Sequence, residues 1–256
     1  MKNLKSILAL IACLVLIGAP FSCKKSTTKP VVVTPPPANL VAYWPFSNNT
    51  NDISRYSNNG SPTNVTSVAD RFGNPNSAYS FDGTTSCITV PDSIRLRLNN
   101  TDFTLNAWVK LDSYNSQYLS TIISKRFSGV NNGWIWGANG NLNSPVGAVY
   151  YGPGGGNANA VGSVVLNVAQ WYMVTCVYSL ANQAMSIYLN GVLNNSSDAI
   201  QTPNASIASD LYIGKDNSGS GSQYYFKGTL DDIRIYNTAL DLTAIQQLYT
   251  ATNSGL

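Results

Sequence analysis

The chain of 256 residues contains no histidine and no glutamate; all 12 of its acidic residues are aspartate. Without histidine there is no Ser-His-Asp or Cys-His nucleophile, no imidazole base and no imidazole metal ligand. Without glutamate the paired-Glu route to glycoside cleavage is closed, and an Asp-only acid/base pair is the carboxylate chemistry that survives. A metal site would have to draw on Asp, Asn and backbone oxygens, which suit hard ions such as calcium. Charge of either sign is scarce, at 11% of residues against about 25% in ordinary globular proteins. What replaces it is amide and hydroxyl: 30 Asn, 20 Gly and 15 Tyr. That mixture favours strands and turns over helices.

The formal charge of +3 belongs to one end. Lys2, Lys5, Lys24, Lys25 and Lys29 all precede residue 39, and the rest carries 10 Lys and Arg against 12 Asp, a net −2. No basic stripe remains to bind nucleic acid, and no nucleic-acid partner is expected.

Residues 1–23 read as an address. Lys2 and Lys5 precede an apolar run of 13 residues, 7–19, which is too short to span a bilayer comfortably. Phe21-Ser22-Cys23 follows, and a cysteine placed there resembles the lipobox of bacterial lipoproteins. It departs from the usual pattern at Pro20 and Phe21. The resemblance implies that Cys23 is acylated and becomes the first mature residue, so that the membrane is met through a lipid anchor only. Residues 24–38 hold four Pro and no aromatic residue, a composition suited to an extended tether. Lys24 stands where an Asp would imply inner-membrane retention. The resemblance therefore implies the outer membrane, on either its periplasmic or its surface side.

Residues 39–256 read as one domain. Short strand-like runs alternate with turn clusters. In FTLNAWVKL, residues 103–111, Phe103, Leu105, Ala107, Val109 and Leu111 fall on one face and Thr104, Asn106, Trp108 and Lys110 on the other. Met185 to Leu189 alternates and runs into Asn190-Gly191, a hairpin signal. Asp82-Gly83 is a second turn signal, and the one helix candidate is 241–249. This pattern predicts an all-β, two-sheet antiparallel jelly-roll sandwich with one short C-terminal helix. Cys87 and Cys176 lie in apolar strand runs, either paired or as two small buried hydrophobes. The expected state is a monomer.

Several segments, in order, resemble bacterial laminin-G-like, concanavalin A-like jelly-roll domains: LVAYWPF at 40–46, Asp52-Ile53-Ser54 leading to Asn59-Gly60, AYSFDG at 78–83, FTLNAWV at 103–109, LNG at 189–191, and GTLDDIRIYN at 228–237 followed by Ala239-Leu240 and IQQLY at 245–249. Such folds host lectins, adhesins, enzyme appendages and hydrolases. The glycosidases among them carry a Glu-x-Asp-x-x-Glu signature that this chain lacks.

Two groups of candidate residues follow. The resemblance places Asp231 as a structural calcium ligand, brought together with Asp52, Asn48 or backbone carbonyls around Gly60. The alternative is an Asp231 that accepts backbone N–H groups or pairs with an arginine such as Arg55. Strand alternation predicts that Asp231 shares a face with Ile233 and Ile235, and that Asp232 points the other way, which is unsuited to cleaving one bond between them. The second group is aromatic. Trp134 and Trp136 share one strand face, and Tyr150, Tyr151, Tyr224 and Tyr225 border loops rich in Gly, Asn and Ser (152–160 and 216–223). Rings for stacking with amides alongside make a sugar platform; the alternative is that the rings pack inward, a course equally open to Trp44, Trp108 and Trp171. The reading is a non-catalytic envelope lipoprotein whose domain binds carbohydrate or a cell-surface partner. The alternatives are a structural or adhesion module for protein partners and, last, an Asp-based hydrolase.

Overall fold

The computed structural model describes residues 37–116, 119–126, 133–139, 148–151, 159–200, 208–217 and 224–251, with 148–151 and 159–161 described as backbone. These residues lie within one compact unit, Thr34–Leu256. Their strands are β1 (Leu40–Trp44), β2 (Ser61–Thr63), β3 (Thr66–Val68), β4 (Ala78–Asp82), β5 (Cys87–Val90), β6 (Phe103–Ser113), β7 (Leu119–Arg126) and β8 (Gly133–Asn139). Then come β9 (Ala148–Tyr151), β10 (Asn159–Val161), β11 (Trp171–Ser179), β12 (Ala184–Leu189), β13 (Val192–Ser197), β14 (Leu211–Ile213), β15 (Lys227–Tyr236) and helix α1 (Leu242–Thr250).

One sheet runs β13-β12-β11-β6-β15-β4-β3, with β1 paired to β15 as its eighth strand; the other runs β10-β9-β8-β7-β14-β5-β2. Neighbours are antiparallel throughout. The sandwich with one terminal helix is the fold that the strand pattern predicts.

The predicted core stripe of β6, Phe103 to Leu111 by alternate residues, enters the main apolar cluster with Trp44, Phe46, Phe81, Ile123 and Ile213. Trp44 packs inward. Trp108 and Trp171 do not: they lie on the other side of β6 and β11, with Met173, under the helix residues Ile245 and Leu248. The Asp241 side chain caps α1 by accepting from the Ala244 N–H at 2.8 Å. Asn190 and Gly191 both take positive φ, 50° and 79°, as a two-residue hairpin between β12 and β13 requires. Asp82-Gly83 is a turn of another kind. The strands it joins, β4 and β5, belong to different sheets, and the Asp82 carboxylate accepts from the N–H groups of Thr84, Thr85 and Ser86 at the corner. Cys87 and Cys176 are free, buried thiols on strands of different sheets.

Candidate functional site

Directly opposed residues of antiparallel neighbours share a face. In the seven-stranded sheet, Ile213 opposes Ile88 and Ile123, and all three are core. The alternate row is therefore the outer face. It crosses the sheet from Ser61 to Thr89, Tyr212, Ser124 and Ile135. Ser61 is exposed, Thr89 and Tyr212 are half-buried, and Ser124 and Ile135 are buried. Beside this row the chain leaves β14 and turns. Lys215 Nζ sits 4.6 Å from the Tyr212 ring centroid. Asp216 is fully buried; it accepts from Ser124 Oγ at 2.8 Å and from Arg126 Nε at 2.9 Å. Arg126 stays 30% exposed, so a fixed guanidinium edge meets the surface there.

Tyr225 lies near Cys87 of β5, as Tyr212 does. Its successor Phe226 packs edge-on against Phe81 in the core, and Tyr225 itself is half-buried. Its backbone carbonyl accepts from Asn115 Nδ2 at 3.3 Å. Burial pushes the hydroxyls of both Tyr212 and Tyr225 up, and the thiol of Cys87 acts on both in the same direction. Tyr224 is half-buried as well, and its carbonyl accepts from Thr121 N–H. Tyr212, with Thr89 opposite it and Lys215 over its ring, offers a ring face and polar edges together, and Ser61 and Arg126 lie further along the same face.

The tryptophans expected in such a platform lie elsewhere. Trp134 and Trp136 do share a face, but it is the inner one: both are fully buried. Trp134 Nε1 donates to the Leu96 carbonyl at 3.1 Å. Trp136 opposes Ile123, whose side chain is core, and this fixes the indole inside. Tyr150 and Tyr151 oppose Trp136 and Ile135 in the backbone register; their side chains lie outside the described residues, as does Cys23. No sequence motif marks Tyr212, Arg126 or Asp216. Arg126 and Asp216 are 90 positions apart, and no local pattern joins them.

The expected calcium residues fall into two places. Asp52 is buried. Its Oδ1 accepts from the N–H groups of Tyr43 and Ser54, and its Oδ2 from Ser54 Oγ, Asn58 N–H and Asn58 Nδ2. The Gly60 carbonyl accepts from Thr50 Oγ1 at 2.7 Å. Asn48 is exposed, and its N–H donates to the Asn76 carbonyl. Asp231 instead meets a guanidinium, that of Arg71 rather than Arg55: Arg71 Nη1 lies 2.8 Å from Asp231 Oδ2 and 2.9 Å from Asp232 Oδ2. Among the described residues no three His, Cys, Asp or Glu side chains gather as a metal site.

Asp231 and Asp232 were expected on opposite faces. A bulge overturns that expectation. Asp231 opposes Trp108 and Arg234 opposes Asn106, so Asp232 and Ile233 together face one residue of β6. Asp232 takes φ 51°, as the extra residue of a bulge does. Leu230, Ile233 and Ile235 remain core, and both carboxylates fall to the outer side. Burial, then the neighbouring Asp232, pushes the Asp231 carboxyl up, and the Arg71 guanidinium opposes this.

A family model described as the concanavalin A-like lectin/glucanases superfamily matches residues 82–246. No curated protein matches the sequence. Among solved structures, domain 4 of a GH43 extracellular arabinanase from Geobacillus stearothermophilus, in complex with arabinotriose, superposes with TM-score 0.62 at 19% identity over 83% of this chain and 98% of that one. The binding domain of Paraclostridial Mosquitocidal Protein 1 gives 0.65 at 17% over 82% of this chain and 52% of that one. Trypanosoma rangeli sialidase in complex with sialic acid gives 0.58 at 21% over 84% of this chain and 33% of that one. The chain thus spans about half and a third of the last two. At such identities these likenesses speak for the fold alone. With the family model covering more than half of its length, the chain belongs to the concanavalin A-like lectin/glucanase superfamily.

Proposed function

We propose that this chain is a non-catalytic envelope lipoprotein, anchored through Cys23, whose domain binds carbohydrate on the outer face of the seven-stranded sheet. The observation that carries the reading is half-buried Tyr212 on that face with fixed polar groups, and half-buried Tyr225 near the same Cys87 of β5. Sugars present C–H faces for stacking and hydroxyls for hydrogen bonding; Thr89 and Lys215 stand beside Tyr212, and Ser61 and Arg126 lie along the same face. An arabinanase domain of this fold was solved with arabinotriose and a sialidase with sialic acid, which supports the ligand class without naming the sugar. The residue set supports the non-catalytic reading. With no His and no Glu, acid/base work falls to aspartates, and Asp231 and Asp232 are engaged by Arg71, not set across a cleft.

A glycan array probed with the purified full-length chain tests the proposal. Binding to a defined glycan class is expected. No binding to any glycan, with one stoichiometric protein recovered from envelope extracts, would favour the adhesion-module alternative. Polysaccharide turnover lost on Asp231→Asn, with the fold intact, would contradict the absence of catalysis.

A further inference from the structure

The cluster on the outer side of the eight-stranded sheet is independent of the ligand face. It joins three parts of the chain: Arg71 from the segment between β3 and β4, Asp231, Asp232 and Arg234 from β15, and Tyr43 from β1. Arg71 and Asp231 are 160 positions apart. We propose that the Arg71 guanidinium is the resident cation of this cluster and clasps the strands where the family resemblance places calcium.

One nitrogen, Arg71 Nη1, holds both carboxylates, at 2.8 and 2.9 Å. The guanidinium plane is fixed between two rings, 4.4 Å from the Phe72 centroid and 4.3 Å from that of Trp108. Asp232 Oδ1 is taken up separately, by Tyr43 Oη at 2.5 Å and Arg234 Nη2 at 3.1 Å. Two arginines thus face two aspartates. A calcium ion entering here would meet two fixed positive charges and would have to displace one of them.

The unmet polar groups speak to the same point. Among the described residues, the buried side-chain atoms in and beside this cluster without a hydrogen-bond partner are Arg71 Nε, Arg234 Nε, Trp108 Nε1 and, opposite Arg234 on β6, Asn106 Oδ1. Three are donors and one is an oxygen. Calcium takes six to eight oxygen ligands, so this set falls far short of a site. The other expected ligands are spent as well: Asp52 accepts from five protein donors and the Gly60 carbonyl from Thr50. Calcium therefore does not fit the residues present, and the bulge at Asp232 explains what does. It turns two sequence neighbours toward one guanidinium.

Thermal melting of the full-length chain tests this. The expected melting temperature is the same in excess chelator and in millimolar calcium chloride. Arg71→Ala leaves two buried carboxylates without that partner and is expected to lower the melting temperature by roughly 10 °C. Should that variant fail to fold, Arg71→Lys serves. It keeps the charge but loses the planar fork and its stacking, and a smaller loss is expected. A rise of several degrees in the wild type on adding calcium would overturn the proposal. So would an Arg71→Lys protein that melts with the wild type.

Discussion

At the scale of single residues, aspartate without glutamate suits a chain made of strands and tight corners. A short carboxylate reaches backbone N–H groups two to four positions on, a geometry that favours Asp at turns. Asp70 accepts from Phe72 and Asn74, Asp82 from Thr84 to Ser86, and Asp241 caps α1. Asp92 holds Arg97 and the buried Lys125. The hydrogen bond from Arg97, followed by that from Lys125, keeps the Asp92 carboxyl below the usual range. A depressed carboxyl stabilises the fold above its unfolded value near about 4 and loses that contribution as pH falls through its folded value. Melting temperatures followed downward from about pH 5 should therefore fall less steeply for Asp92→Asn than for the wild type, from a lower starting point. Trp136 bears on the site directly. The alternation of Trp134-Ile135-Trp136 shows that the indoles share a face, but both faces of a sandwich strand admit aromatics. The side was decided by Ile123 on the neighbouring strand. Trp136→Ala should cost roughly 3–5 kcal/mol of stability in denaturant titration, which separates a core role from a ligand role.

At the scale of elements, the local signals that survived are those with a fixed period or a fixed turn. The β6 stripe and the Asn190-Gly191 hairpin form as read. Asp231 was misplaced because a period of two fails across a bulge, and the bulge depends on β6 and β1 as well as on β15. The LDDIRIY run carries no mark of where the extra residue goes. The corner after β14 is similarly hidden. Gly214 has φ 85°, and a Cβ there would lie 2.3 Å from the Phe81 ring. Its N–H donates to Ile122, and its carbonyl accepts from Phe226, so the glycine seats the segment that carries Tyr225. Gly214→Ala should destabilise the fold by about 2–4 kcal/mol, read from chemical denaturation, and weaken any glycan binding along with it.

At the scale of the whole molecule, the fold was legible because many weak segments occur in one order. The proposed ligand face was not, because it is assembled across strands. Tyr212, Ser124, Arg126 and Asp216 come from β7, β14 and the turn beyond it, and only the sheet register brings them together. The central claim is that this face binds carbohydrate through its tyrosines. Titration calorimetry of the glycan selected on an array, run in parallel with wild type, Tyr212→Ala and Tyr225→Ala, tests it most directly. An affinity loss of about tenfold or more, or about 1.4 kcal/mol, is expected for each variant, with melting temperatures close to that of the wild type. Unchanged affinity in both variants, with the wild type binding the same glycan, would contradict it.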